Sequence, residues 1–183
     1  MIYEGDHMPS LPALKGLSRL ADLRPCVVID TREQTPLCFS RLPSIGGTLT
    51  SGDYSVTGLE HEFAVERKSI PDLVACCTSS NRERFERELH RLRGFRFARL
   101  LVVGTIEEIR AGDYRSNLAP KVVLHTIAAF EARYNVPVVF EPDPKAAAAR
   151  VEAWSYWFTR EVVESANELL RGHEQAKHEQ VAS

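Results

Sequence analysis

Five side chains stand out for the chemistry they could do together: Asp30, Glu33, Asp53, Glu66 and Lys68. They fall in three segments, Asp30-Thr31-Arg32-Glu33, Gly52-Asp53-Tyr54 and Val65-Glu66-Arg67-Lys68. Glu66 and Lys68 are two residues apart, so on a strand they project from one face. Carboxylates are hard oxygen ligands that suit Mg²⁺, an ion that keeps several of its waters. A bound cation lowers the pKa of such a water and neutralises charge on a phosphorane-like transition state. A neighbouring lysine orients or deprotonates the attacking water and adds positive charge beside the scissile group. Hydrolysis of a phosphodiester needs this combination, because one anion attacks another. Alone, Glu-x-Lys reads as a surface ion pair and Gly-Asp as a turn. The three segments together, in this order and on short strands, are a specific signal.

The elements that must position these residues are legible from periodicity. Cys26-Val-Val-Ile-Asp30 is a short apolar run ending in an acid and predicts a strand. A loop with Pro36 and Pro43 follows, and the chain is expected to turn at Gly46-Gly47. Thr48–Thr50, Tyr54–Thr57 and Glu62–Lys68 read as strands. The period then changes. Ser69 and Pro71 start a short helix through Ile70, Leu73, Val74 and Cys77. Asn81 caps a second helix through Phe85, Leu89 and Leu92 to Gly94. Leu100–Val103 is a buried strand, Pro120 opens a helix to Tyr134, and Val136–Phe140 is a further strand. A long helix from Pro144 to Leu170 carries Ala147, Val151, Trp154, Phe158, Val162, Ala166 and Leu169 at spacings of three and four. Strands in succession, then helices alternating with strands, predict a single α/β domain: a mixed sheet with helices on both faces. Residues 1–25 form a partly ordered lead-in, 26–171 the domain, and 172–183 a polar, frayed tail.

The 183 residues suffice for one domain, and 44% hydrophobic content suffices for its core. The net charge of −2 does not announce a polyanion partner, so any such affinity must come from local patches. One exists: positions 82–99 hold seven arginines against three glutamates. No apolar run is long enough to span a bilayer, and the start of the chain does not read as a signal peptide. A cytoplasmic protein, with no membrane partner, is the expectation. Cys26, Cys38, Cys76 and Cys77 form no paired CxxC motif and read as reduced structural thiols. The histidines show no ligand spacing.

The sequence resembles the nuclease domain of the XPF/Mus family of structure-selective endonucleases. Its hallmark is Gly-Asp, then Glu-Arg-Lys, then Asp four residues on. Gly52-Asp53, Glu66-Arg67-Lys68 and Asp72 reproduce it, with 12 residues between Asp53 and Glu66. Val28-Ile-Asp30-Thr-Arg-Glu33 and Arg84-Phe-Glu-Arg-Glu-Leu89 extend the likeness over roughly residues 26–170. The resemblance implies a restriction-endonuclease-like core and Mg²⁺ or Mn²⁺ held by Asp30, Glu33, Asp53 and Glu66. It makes Lys68 catalytic, with Arg67 and Asp72 in support. Arg67 is expected on the opposite strand face or against neighbouring carboxylates. Many relatives carry tandem helix-hairpin-helix modules, and some a helicase. The chain is expected to lack the first and has no Walker motif, so a separate DNA-binding or helicase partner is one expectation.

In that setting Arg82, Arg84, Arg87, Arg91 and Arg93 become candidates for tracking DNA phosphates. Tyr156 and Trp157 fall beside the apolar stripe of the last helix and point to a homodimer, in keeping with dimeric relatives. The expected activity is metal-dependent endonucleolytic cleavage of branched, flapped or otherwise structured DNA in repair or recombination, on the nucleoid. A catalytically silent DNA-binding partner and a restriction-type enzyme on the same core are the alternatives. The complete acid set with its lysine argues against a silent copy.

Overall fold

A computed structural model describes residues 24–181. The expected lead-in lies almost wholly outside the described residues. Six strands form one sheet: β1 (Val27–Asp30), β2 (Ser44–Gly47), β3 (Tyr54–Val56), β4 (Phe63–Ser69), β5 (Phe97–Val103) and β6 (Val138–Glu141). Their order across the sheet is β2-β1-β3-β4-β5-β6. β3 runs antiparallel to both β1 and β4, whereas β1 with β2, and β4 with β5 and β6, are parallel. The expected mixed sheet is therefore present. Five helices accompany it: α1 (Ile70–Cys76), α2 (Ser79–Leu92), α3 (Ile106–Ala111), α4 (Pro120–Tyr134) and α5 (Pro144–Val181).

Alternate strand residues serve different layers, as a pleated strand requires. Ala64, Leu100 and Val102 pack with Leu73 of α1, Phe85 and Leu89 of α2, and Phe130 of α4. Phe63, Val65 and Leu101 pack with Ala147, Val151 and Phe158 of α5 on the other side. In α2, Phe85, Leu89 and Leu92 recur at i, i+4 and i+7 and all are buried. Burying side chains of this size contributes about 2 kcal/mol each.

Several expectations require correction. The chain does not turn at Gly46-Gly47; these residues lie in β2, an edge strand paired with β1. Gly47 sits so close to β1 that a Cβ there would come within 2.7 Å of a Val28 methyl carbon. Thr48–Thr50 is not a strand, because the backbone N–H of Leu49 is given to Asp30 instead of a ladder. α2 starts at Ser79 with Thr78 as its N-cap, so Asn81 lies within the helix. α3 was not anticipated. Its Thr105 and Glu108 form a reciprocal capping box, and Gly112 ends it in the left-handed conformation. β5 begins at Phe97, before the apolar run. α5 continues through Gly172 to Val181, past the expected frayed end. Glu174, Gln175, Ala176 and Lys177 are good helix formers and carry the helix across the glycine.

Candidate active site

The sheet register lines up three acids. Ile29 is opposite Tyr54, and Tyr54 is opposite Val65. One step along, Asp30, Asp53 and Glu66 follow one another across β1, β3 and β4, on the face that carries α1 and α2. Two backbone bonds tie the row: Asp30 N–H to the Asp53 carbonyl at 2.8 Å, and Asp53 N–H to the Val65 carbonyl at 2.8 Å. The glycine before Asp53 is obligatory. Gly52 has φ +79°, and a Cβ there would lie 3.1 Å from the Val65 carbonyl oxygen. The Gly-Asp pair is thus the bend that lets β3 close against β4.

The acids divide by partner. Asp30 is buried, with 2% exposure. Its carboxylate accepts from the Arg32 guanidinium at 2.7 and 3.1 Å and from the N–H groups of Arg32 and Leu49 at 2.8 and 2.7 Å. Arg32 brings its pKa down to about 2, against the effect of burial. Glu33 accepts from Arg67 at 2.9 and 3.1 Å and from the Thr35 N–H at 2.8 Å. Burial opposes its charge, but the Arg67 guanidinium and these hydrogen bonds hold its carboxyl below the usual range. Arg67 therefore does what was expected: it leaves the Glu66 face and pairs with a neighbouring carboxylate.

Asp53 and Glu66 have no guanidinium. Asp53 accepts one backbone bond, from Arg67 N–H to Oδ2 at 2.7 Å. Glu66, 2% exposed, pairs with the Lys68 ammonium on its own strand face. Burial pushes both carboxyl groups up, and the two charges oppose one another across the strand pair. Lys68 is the cation that donates to Glu66, and it lies 5.5 Å from the centre of the Phe85 ring. Burial acts against its charge, but Glu66 more than compensates, so in this arrangement it is an ammonium.

A cavity of about 440 Å³ opens above this row, lined by Arg32, Asp53, Arg67 and Lys68 from the sheet side and by Asp72, Arg84 and Glu88 from the helices. Asp72 does two things at its rim. Its N–H and carboxylate bond to the Ser69 hydroxyl, which caps α1. Arg84 reaches the cavity, and helical spacing continues its flank to Arg87 and Arg91, all exposed. Arg82 and Arg93 lie on the other flank. Arg82 pairs with Glu86 at 3.0 Å and stacks over Phe130 of α4, so it is turned away from the cavity. Glu88 is the lining acid that the sequence did not single out; its spacing of four from Arg84 was the available signal. Cys76 also lines the cavity, and burial pushes its thiol up to about 11.

The donor set suits a small divalent cation. Buried Glu66 and half-buried Asp53 are oxygen ligands whose charges are unfavourable without one, and Mg²⁺ is commonly bound through only one or two carboxylates. Among the described residues no three His, Cys, Asp or Glu side chains lie close enough to ligate one ion together. The four carboxylates expected from the sequence divide by partner: Asp30 and Glu33 are held by arginines, Asp53 and Glu66 are not, and Glu33 and Asp53 line the cavity.

A mixed sheet with helices on both faces, with Asp53 just before β3 and Glu66 and Lys68 in β4, is a restriction-endonuclease-like fold. The family model of the ERCC4 domain matches residues 29–152. The chain belongs to the ERCC4-domain family. Among solved structures, XPF from Aeropyrum pernix aligns with a TM-score of 0.58 at 23% identity, covering 74% of this chain and 62% of that one. The same protein in complex with DNA aligns with a TM-score of 0.58 at 21% identity, covering 75% and 66%. This chain spans less than two thirds of the length of either. A search of curated proteins finds no match. Among the described residues no helix is long and apolar enough to cross a membrane.

Proposed function

We propose that this chain is a divalent-metal-dependent DNA endonuclease acting on branched, flapped or otherwise structured DNA in repair or recombination. The observation that carries the reading is the row itself: buried Glu66 and half-buried Asp53, neither with a guanidinium partner, next to the Lys68 ammonium. Mg²⁺ or Mn²⁺ bound there would supply an acidified water and charge neutralisation at the phosphate. Asp53 and Glu66 would hold it. Asp30 and Glu33 belong to the site through Arg32 and Arg67, and each becomes a ligand where its arginine is drawn to a DNA phosphate. Lys68 places an ammonium at the cavity floor, where it donates to water or to a phosphate oxygen. Arg84, Arg87 and Arg91 lie on the cavity flank of α2 and would track the DNA backbone, with Arg82 and Arg93 further off.

A second copy of the chain is the proposed partner of the exposed aromatic and aliphatic side chains of α5, including Trp157 and Leu169. A further DNA-binding or helicase subunit would supply the choice of DNA structure. The test is cleavage of supercoiled plasmid and of branched oligonucleotides with Mg²⁺, Mn²⁺ or chelator. Metal-dependent cutting of the branched substrates supports the proposal. Binding without cutting in either metal would overturn it in favour of a silent DNA-binding subunit. Cutting confined to one duplex sequence would favour a restriction-type enzyme.

A further inference from the structure

We infer that Glu88 is a positioning residue of this site, accepting hydrogen bonds from the water shell of the divalent cation held by Asp53 and Glu66. The inference rests on the metal-dependent reading above. Glu88 lies on α2 beside the core stripe of Phe85, Leu89 and Leu92, and this angle turns it into the cavity. It is half-buried, yet among the described residues it makes no hydrogen bond and no ion pair. Every other acid of the site has a partner: Asp30 has Arg32, Glu33 has Arg67, Glu66 has Lys68, and Asp53 has the Arg67 N–H. Glu88 lines the cavity, and its charge acts on Asp53, Glu66 and Lys68.

Glu88 and Asp53 thus line a pocket shared with Glu33, Asp72, Arg32, Arg67, Lys68 and Arg84, and neither carboxylate has a guanidinium partner. A divalent cation supplies the positive charge that these two acids lack. Asp53, Glu66 and Glu88 are not close enough to ligate one ion directly. Mg²⁺ and Mn²⁺ retain waters, however, and those waters need acceptors. Carboxylates that bond to a metal's ligands rather than to the metal typically cost about 10–100-fold in affinity when removed.

The test is Mn²⁺ titration by calorimetry, with thermal melts of the metal-free proteins alongside. Glu88→Gln and Glu88→Ala should each weaken Mn²⁺ binding by about 10-fold or more, and Glu88→Asp should recover part of the loss. The metal-free melting midpoint of Glu88→Gln should be no lower than that of the wild type. Glu83→Gln, on the opposite face of α2, should leave the affinity unchanged. Glu88→Gln binding within about twofold of wild type overturns the inference. So does a metal-free midpoint that falls in step with affinity, which would assign Glu88 to the fold. Asp53→Asn keeps the two readings apart. If it loses Mn²⁺ while Glu88→Gln does not, only Glu88 is misassigned; if the wild type binds no Mn²⁺, the metal-dependent function fails as well.

Discussion

Lys68 and Glu66 are near neighbours on one strand face, and what makes the pair useful is burial. A surface pair of this kind is worth little. Here the ammonium sits between buried carboxylates and an aromatic ring, so it keeps its charge at a place where charge must be met. Lys68→Ala should lower the single-turnover cleavage rate by roughly 100-fold, the scale of one lost electrostatic or acid–base contributor, with little change in DNA affinity. Cleavage at the wild-type rate would falsify the catalytic assignment. Gly52→Ala should destabilise the fold by about 1–3 kcal/mol, because a side chain is strained at φ +79° and would press on the Val65 carbonyl; urea unfolding measures it. Asp53 has a definite pH signature. Burial raises its pKa from 3.8 to about 6, and Glu33 and Glu88 add to this while Lys68 and the Arg67 N–H oppose it. A group whose folded value lies above its unfolded one binds more protons when folded. Asp53 should therefore make the metal-free protein lose stability as pH rises from about 4 to about 6; Asp53→Asn should remove that part and leave the part set by Glu66, whose carboxyl burial also raises.

The elements that hold these residues were legible where a periodic apolar pattern marks them. The helix Pro120–Tyr134 was legible from its proline start to about its end, since a proline at one end and a repeating apolar face between leave little choice. β2 was not legible, because an exposed edge strand of Ser-Ile-Gly-Gly has no alternation to detect. α3 was written in the chain as Thr105-x-x-Glu108 and Gly112, but it is too short to show a period. The split of the acids was invisible for a different reason: which guanidinium a carboxylate meets depends on loop geometry. That geometry is fixed from a distance. Glu152 of α5, almost fully buried, accepts the N–H groups of Ser40, Arg41 and Leu42 at 2.8, 2.6 and 3.0 Å. Glu152→Ala leaves these donors without a partner and should cost on the order of 3 kcal/mol, read by unfolding, with faster amide exchange at positions 40–42. Within α2 the arginines should separate by flank. Arg84→Ala should reduce the salt dependence of DNA binding by about one unit of slope. Arg82→Ala, which removes a contact to Glu86 and Phe130, should leave the slope unchanged.

At the scale of the whole molecule, the cation couples the site to global stability. Mn²⁺ at about 100 times its dissociation constant contributes about 2.7 kcal/mol, which for a chain of this size raises the melting midpoint by roughly 5–10 °C. Chelator should abolish that gain, and Asp53→Asn should not show it. Association is the second property of this scale. Trp157 is 45% exposed and Leu169 66% exposed on α5. A homodimer built on them should appear by light scattering at micromolar concentrations and weaken in Trp157→Ala; a monomer at every concentration tested would count against it.

The alternation along β4 constrains how this protein can vary. Ala64, Glu66 and Lys68 face the cavity side, while Phe63, Val65 and Arg67 serve α5 and the loop that carries Glu33. Two messages are interleaved in one strand, one residue apart, like two texts printed on alternate lines. A single-residue insertion or deletion between Phe63 and Lys68 would reverse the facing of every β4 residue on one side of it, sending either charged side chains into the packed layer beneath α5 or apolar ones into the cavity. Substitutions in β4 can be graded in their effect; a change of length cannot. Lineages of this domain should therefore drift in the length of the turn at 57–62 and of the loop at 31–43, and keep the spacing from Phe63 to Lys68 invariant.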